Sequence, residues 1–450
     1  MSPHPPAAGP GDRAPTTPAY GFPAGLWRGL ERRRPPGVDA VAAAWRSPVR
    51  GPWLTSVLGA ALLVALPLVV VTGLLDWIAY GPRLGQAFPR DVGWLHPPVF
   101  DWPTRPAWLF RVTQGLHVTL GIVLVPVVLA KLWSVVPKLF AWPPARSPAQ
   151  VLERLSLLLL VGGILFQTAT GLLNIQYAYL FGFDFYTAHW YGGWIFTVAL
   201  VTHVAIKLPR MVTALRGPGS ARTPVATTTP EPPDPDGLVA RRPVPATVSR
   251  RGVLALTGGG ALLLAALTVG QSVDPLRRTA LLLPRGRRPG PGPNGFPVNR
   301  SAAAAGVDPA DTGTGWRLAL RGADRTVALD RTALLALPQH TARLPIACVE
   351  GWSTEQTWTG VRLRDLAALV GPPDPATARV RSLERAGLFN QAVLHAGQVG
   401  DGDALLALRV NGVDLAPDHG FPARIVVPAL PGVHCTKWVR EITFAGRDDA

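Results

Sequence analysis

The chain has 450 residues, 48% of them apolar and 16% charged, with 44 Lys+Arg against 28 Asp+Glu and a formal charge of +16. This length allows two or three domains, and sparse charge combined with long apolar runs points to a membrane protein with a further globular part. Two cysteines, Cys348 and Cys435, are too few for a disulfide framework or a four-cysteine zinc site, and no basic stripe interleaved with aromatics supports nucleic-acid binding.

Residues 1–50 are rich in Pro, Ala and Arg and show no period. They are expected to be a disordered cytoplasmic N-terminus, with Arg32, Arg33, Arg34, Arg46 and Arg50 as its basic flank. Five apolar segments follow, at 53–77, 112–136, 155–175, 188–208 and 253–273. Each is near the ~20 residues that span a bilayer. The alternative, buried helices of a soluble protein, does not account for five such runs. Pro126 is expected to kink the second segment.

The cations set the orientation. The 137–154 loop carries Lys138, Arg146 and Arg154, and 207–251 carries Lys207, Arg210, Arg216, Arg222, Arg241, Arg242, Arg250 and Arg251. The loop opening at Gln176 has none, and 78–110 has Arg83, Arg90 and Arg105 over a longer stretch. The N-terminus is therefore expected inside and the fourth segment returns to the cytoplasm. A Pro/Thr-rich linker, 211–248, leads to the fifth segment, which places the C-terminal part outside.

Within the apolar region lie His117, His189 and His203. An ionisable group at membrane depth is costly and by default functional. His189 and His203 are 14 residues apart, so on one helix they sit about 21 Å apart with an angular offset of about 40°. His117 and His189 both enter from the expected outer side and are the better pair of axial ligands for a b-type haem. His203 needs another partner; it is either a second haem ligand or a polar core residue bonded to a neighbouring helix. Residues 45–210 resemble the four-helix b-type cytochrome family, which includes the cytochrome b subunit of formate dehydrogenase. The resemblance implies a haem near each surface, yet "AAWRSPVRGPWL" in the first segment offers no histidine.

The rest of the chain, 285–450, alternates apolar and polar residues in "WRLALRG" and "TVALD", beside short helical runs such as "VRLRDLAALVG". An α+β, strand-rich domain is expected. Here "CVEGWS", "NGV", "HGFPAR" and "HCTKW" occur in order. Residues 290–446 resemble the sulfite-oxidase family of molybdopterin enzymes, and within it the bacterial periplasmic methionine-sulfoxide reductase branch. The resemblance implies Cys348 as the molybdenum ligand, and a pterin held by Asn294, Ser382, His419, Arg424, Cys435, Thr436 and Lys437. Asn299 is an alternative to Asn294. A soft thiolate suits such a metal, and Arg424 and Lys437 suit a phosphate. On cysteine count alone, a Cys348–Cys435 disulfide is the competing reading. Sulfite oxidases follow the metal cysteine with arginines; Val-Glu-Gly-Trp-Ser follows Cys348 here. His340, His395 and His434 are given no role beyond a structural one.

"SRRGVLALTGGG" at 249–260 resembles a twin-arginine export signal; the alternative is an ordinary basic flank of the fifth segment. The expected whole is multi-domain: an all-α transmembrane bundle of 4+1 helices (51–210, then 249–273) followed by a sulfite-oxidase-like molybdopterin domain. As an enzyme it would bind a molybdenum–molybdopterin cofactor and haem b. Its electrons would be exchanged with a quinone or other membrane carrier, and its substrate would be a small molecule or a protein side chain. The alternative is a non-catalytic cofactor- or partner-binding domain on a cytochrome b anchor.

Overall fold

The structure is a computed structural model that describes residues 29, 32–33, 35, 37–82, 89–145, 147–175, 180–216, 228–234, 236–282, 293–371, 374–385, 387 and 389–446. Most of 1–50, together with Arg83, Arg146, Arg222 and the start of the loop at Gln176, lies outside the described residues. Helices cover all five apolar segments: α1 (Pro52–Ala79), α2 (Leu109–Val123) with α3 (Val125–Leu139), α4 (Pro148–Ile175), α5 (Phe185–Arg216) and α6 (Arg250–Thr268). Pro52 and Pro148 open their helices, where a missing N–H costs nothing. Pro126 cannot donate to residue 122 and crowds that carbonyl, so the chain breaks at Leu124 and bends by 40° between α2 and α3. α5 continues past the expected end at 208 as far as Arg216, the last described residue of that stretch. Four of these helices are long and apolar enough to cross a membrane, five if the bent pair is one span.

The chain divides into two compact units. The first gathers residues 1–57, 131–162 and 198–253. Here the segment before α6 is tied to the residues before α1. Arg50 Nε donates to Leu238 O at 2.7 Å, Val244 N to Arg46 O at 3.0 Å, and Trp53 N to the Glu231 carboxylate at 3.0 Å. Arg250 is fully buried, donates to Thr229 O at 2.9 Å and faces Glu231, whereas Arg251 is exposed. Lys138 and Lys207 both pair with Glu153, and Arg210 pairs with Asp236.

The second unit holds residues 58–130, 163–197 and 254–450. Its C-terminal part has two five-stranded sheets. The first is ordered β2 (Thr326–Leu329), β1 (Leu318–Arg321), β10 (Val439–Ala445), β5 (Thr377–Ser382), β6 (Gln391–His395). The second runs β3 (His340–Ala347), β4 (Ser353–Arg362), β7 (Leu405–Val410), β8 (Val413–Asp414), with β9 (Arg424–Val426) also on β7. Among these strands β1 and β10 pair in parallel and the other pairings are antiparallel.

β7 explains how the layers meet. Leu406 and Leu408 enter one core with Leu320, Val380, Ile425 and Ile442, while Leu405 and Ala407 enter another with Leu344, Trp358 and Cys348. Alternate residues point to opposite faces, and both faces are covered along Leu405–Leu408, so "LLAL" is continuously apolar rather than alternating, while Arg409 is exposed. Truncating Leu406 to Ala would cost about 2–5 kcal/mol. The stretch between α1 and α2 also packs on this domain. Trp102 is 3% exposed; its indole donates to Ala429 O at 2.7 Å and its carbonyl meets His395 Nε2 at 3.0 Å. Arg105 clamps Asp401 and Asp403 at 2.9 and 2.6 Å.

Candidate cofactor sites

The strand-rich domain gathers its reactive groups where three chain segments meet. Cys348 closes β3 in a tight turn: its N–H donates to Trp352 O and its carbonyl accepts from Gly351 N, both at 2.9 Å. The bridge of Ala347 to Pro431, with Gly432 N donating to Ala347 O at 2.7 Å, lays the 431–437 segment alongside. β9 joins through Ile425 N, which donates to Thr436 O at 2.9 Å. Both cysteines are thiols and both are buried.

The Cys348 thiol donates to Glu350 Oε1 at 3.4 Å, and Trp352 Nε1 donates to Oε2 at 3.1 Å. Burial pushes the Glu350 carboxyl up to about 8, against the lowering effect of the Trp352 bond and the Lys437 charge. Arg424, 3% exposed, donates to His419 O at 3.2 Å and Cys435 O at 3.0 Å and lies over the Trp358 ring. Burial lowers it to about 10. Its Nε has no acceptor among the described residues. Lys437 donates to Asn299 Oδ1 at 3.0 Å and Asp418 O at 2.9 Å, and burial lowers it to about 7. Arg424, buried with its Nε unbonded among the described residues, and the neighbouring Lys437 suit an anionic group, since a buried charge needs a counter-charge.

The other expected residues gather here with one exception. The His419 ring stacks on Phe296 at 3.7 Å. Ser382 Oγ donates to Lys437 O at 2.7 Å, and Thr436 Oγ1 donates to His434 O. Cys435 is held by burial above its ordinary value. Asn294 spends its amide elsewhere: Nδ2 donates to Asp414 O at 2.9 Å and Oδ1 accepts from Ala416 N at 2.7 Å. Of the two asparagines, Asn299 is the one bonded to Lys437. His434, given only a structural role in the sequence, is 3% exposed with its ring 5.5 Å from Tyr80 and 5.9 Å from Phe389. Burial lowers it to about 4, so it is neutral at ordinary pH. Nothing in its local sequence marked it. His340 pairs with Asp403 at 2.8 Å.

The second site lies among the helices of the same unit. His117 on α2 and His189 on α5 face each other with ring centroids 6.2 Å apart, across a cavity of about 250 Å³. An iron held by two imidazole nitrogens at about 2 Å each would set the rings about 6 Å apart. His117 Nδ1 donates to Val69 O at 3.0 Å. Thr170 Oγ1 gives its proton to Phe166 O at 2.8 Å, so it accepts from His189 Nδ1 at 2.8 Å. Each ring is thus oriented through Nδ1, with the Nε2 lone pair available to a metal. Glycines 73, 121, 171 and 193 line the cavity; a Cβ on Gly73 would fall 2.8 Å from His117 Cε1. Gly73 and Gly171 make room for the two imidazoles, and a facing imidazole pair on a largely apolar cavity would fit a haem. His203 belongs to the other unit, where it is the one histidine among the described residues and lies in the field of Lys131, Lys207 and Lys138.

Residues 305–450 match the family model described as "Oxidoreductase molybdopterin binding domain". The chain is 34% identical over 133 residues to the uncharacterized oxidoreductase YuiH of Bacillus subtilis, covering 29% of this chain and 66% of that protein. It is 29% identical over 150 residues to the NADH nitrate reductase of Volvox carteri, covering 27% of this chain and 17% of that one. It is 28% identical over 150 residues to the mitochondrial sulfite oxidase of Drosophila melanogaster, covering 28% and 26%. The chain therefore spans less than two thirds of each of these relatives. Among solved structures, the sulfane dehydrogenase SoxCD of Paracoccus pantotrophus aligns at 25% identity with a TM-score of 0.27 over 29% of this chain and 38% of that one.

Proposed function

We propose that this chain, whose residues 305–450 form a molybdopterin-binding oxidoreductase domain of the sulfite oxidase and nitrate reductase family, is a membrane-bound oxidoreductase that carries its own b-type cytochrome. Its single strongest support is the His117–His189 pair, with both rings turned by Nδ1 bonds to offer Nε2 across one cavity. When bound, the molybdenum centre supplies oxygen-atom transfer and the haem supplies one-electron exchange with a quinone or other membrane carrier.

The chain's own groups have separable duties. Cys348 supplies the thiolate. Arg424 and Lys437 hold the pterin phosphate, with Ser382, His419 and the 435–437 segment around it. Glu350, its carboxyl pushed up by burial, lies against the Cys348 sulfur and would be the proton-bearing group nearest the metal. No arginine directly follows Cys348 to hold a sulfite-like oxyanion, which weakens sulfite as the substrate. The apolar belt on α1, α5 and α6 supports membrane insertion, and the loop cations support an extracytoplasmic C-terminal domain. Export of that domain after it has taken up its cofactor fits the arginine pair. Arg250 would be read by the export machinery before its side chain is packed against Thr229 and Glu231.

Metal analysis and reduced-minus-oxidised spectra of the purified protein test this reading. Molybdenum present and lost in Cys348→Ala, with haem bands lost in His117→Ala, is the expected result. A wild-type protein with haem bands but no molybdenum would favour the non-catalytic domain on a cytochrome b anchor. An anaerobic screen of sulfoxides, N-oxides and sulfite, following haem absorbance, identifies the substrate. Arg250→Lys/Arg251→Lys keeps the charge; failure of the domain to leave the cytoplasm would mark the pair as an export signal rather than a basic flank.

A further inference from the structure

The turn that carries Cys348 is not held by its own domain alone. Three alternate carbonyls along it, those of Val349, Gly351 and Ser353, each accept a side chain from outside the strand-rich fold. Gln114 Nε2 on α2 donates to Val349 O at 2.6 Å. Ser272 Oγ, in the turn after α6, donates to Gly351 O at 2.8 Å. Arg277, 6% exposed, donates to Ser353 O at 2.6 Å. Arg111 on α2 in turn holds the Ser272 carbonyl at 3.1 Å through Nε.

The backbones approach as closely as the residue types permit. Gly351 has φ +93, and a Cβ there would lie 2.8 Å from Val118 Cγ1 and 3.0 Å from Gln271 Oε1. A Cβ on Gly115 of α2 would lie 2.9 Å from Ser272 Oγ. Gln114, Val118 and Val349 also line the cavity between His117 and His189. Gln114 stands one turn before His117 on α2, so the side chain that fastens the thiolate turn shares a helix face with an imidazole of the other site. Val349, next in sequence to Cys348, is a wall of that cavity.

We propose that Gln114, Ser272 and Arg277 are positioning residues that lock the Cys348 turn onto the helices, so that the thiolate site keeps a fixed place beside the His117–His189 cavity. The idea rests on the functional reading above only for its purpose; the locking itself concerns the apoprotein as well. A buried carbonyl whose donor is removed loses a bond and gains a desolvation cost. The turn and the start of β4 at Ser353 should therefore loosen, while β5 and β10 of the other sheet stay as they are.

Hydrogen exchange on the full-length protein in detergent, resolved at the amides of 348–353, tests this directly. In Gln114→Leu/Ser272→Ala these amides should exchange about tenfold faster, with β5 and β10 unchanged. Arg277→Leu should behave likewise, and Arg277→Lys, which keeps a donor, should stay near wild type. In protein loaded with molybdenum, the Mo(V) electron paramagnetic resonance signal should shift in the double variant. A folded double variant with wild-type protection at 348–353, or with a wild-type Mo(V) signal, would overturn the proposal. Should that variant not fold, Ser272→Ala alone, which removes one bond and lies outside the cavity, reads the same amides. A wild-type protein that takes up neither metal would sink the functional reading and leave the exchange comparison to decide this one.

Discussion

The strand-rich domain and the helical region meet their surroundings in opposite ways. From residue 293 onward, Val413 is the one exposed large apolar side chain among the described residues. On α1, Val64, Leu68 and Val71 are each more than half exposed, as are Val198 and Val201 on α5 and Leu256, Leu262 and Leu263 on α6. Exposed apolar side chains of this kind are what the proposed membrane insertion would cover. The two candidate sites differ in the same sense. Around Cys348 the groups are fixed by backbone turns and dense hydrogen bonding. Around His117 and His189 they are fixed by two oriented rings against glycine-smoothed helices. One site is specified by a contiguous motif, the other by helical spacing.

The largest expected effect falls on the domain that depends on a motif. Cys348→Ala should lower substrate turnover at least about 100-fold and remove molybdenum, as read by metal analysis, while haem bands remain. Next, His117→Ala and His189→Ala should each abolish the reduced-haem absorbance and leave molybdenum content unchanged. His203→Ala should keep the bands of the haem held by that pair; loss of all absorbance in it would erase the distinction drawn between the two histidine settings. At the seam, Gly351→Ala combines a left-handed backbone with a Cβ 2.8 Å from Val118 Cγ1. It should cost about 1–3 kcal/mol, measured as a lower thermal midpoint.

The smallest effect concerns Arg105. Its hydrogen bond, the leading cause, holds the Asp403 carboxyl below its ordinary value. A depressed carboxylate stabilises the fold above its unfolded value of about 4 and loses that contribution as pH falls through the lower folded one. Arg105 is 55% exposed, so Arg105→Ala should change stability by no more than about 1 kcal/mol. That difference should vanish in thermal scans run toward pH 3.

Much of the strand-rich domain was legible because its chemistry is packed into short stretches: the turn at 348–353, the segment at 419–424 and the run at 434–438. The helices were legible from apolar length, and the His117–His189 pairing from depth alone. What was not legible depends on long-range contact. Asn294 and Asn299 are five residues apart, and only the fold shows that Lys437 bonds to the second. His434 gains its setting from Tyr80, more than 350 residues earlier in the chain. Gln114 looks like an ordinary polar residue of α2 until its bond to Val349 O is seen.

The segment between α1 and α2 has a consequence for how the polypeptide could be divided. Trp102 is sunk against Ala429, Arg105 grips Asp401 and Asp403, and Gln114 holds Val349. All of these join residues before 115 to residues after 348, and none needs the peptide link between α5 and α6. A chain supplied as two polypeptides, broken between those helices, should reassemble and co-purify, while the C-terminal polypeptide made alone would expose Ala429 and the 348–353 turn. The peptide link there would then serve as a tether, with the contacts at Ala429, Asp401, Asp403 and Val349 carrying the recognition.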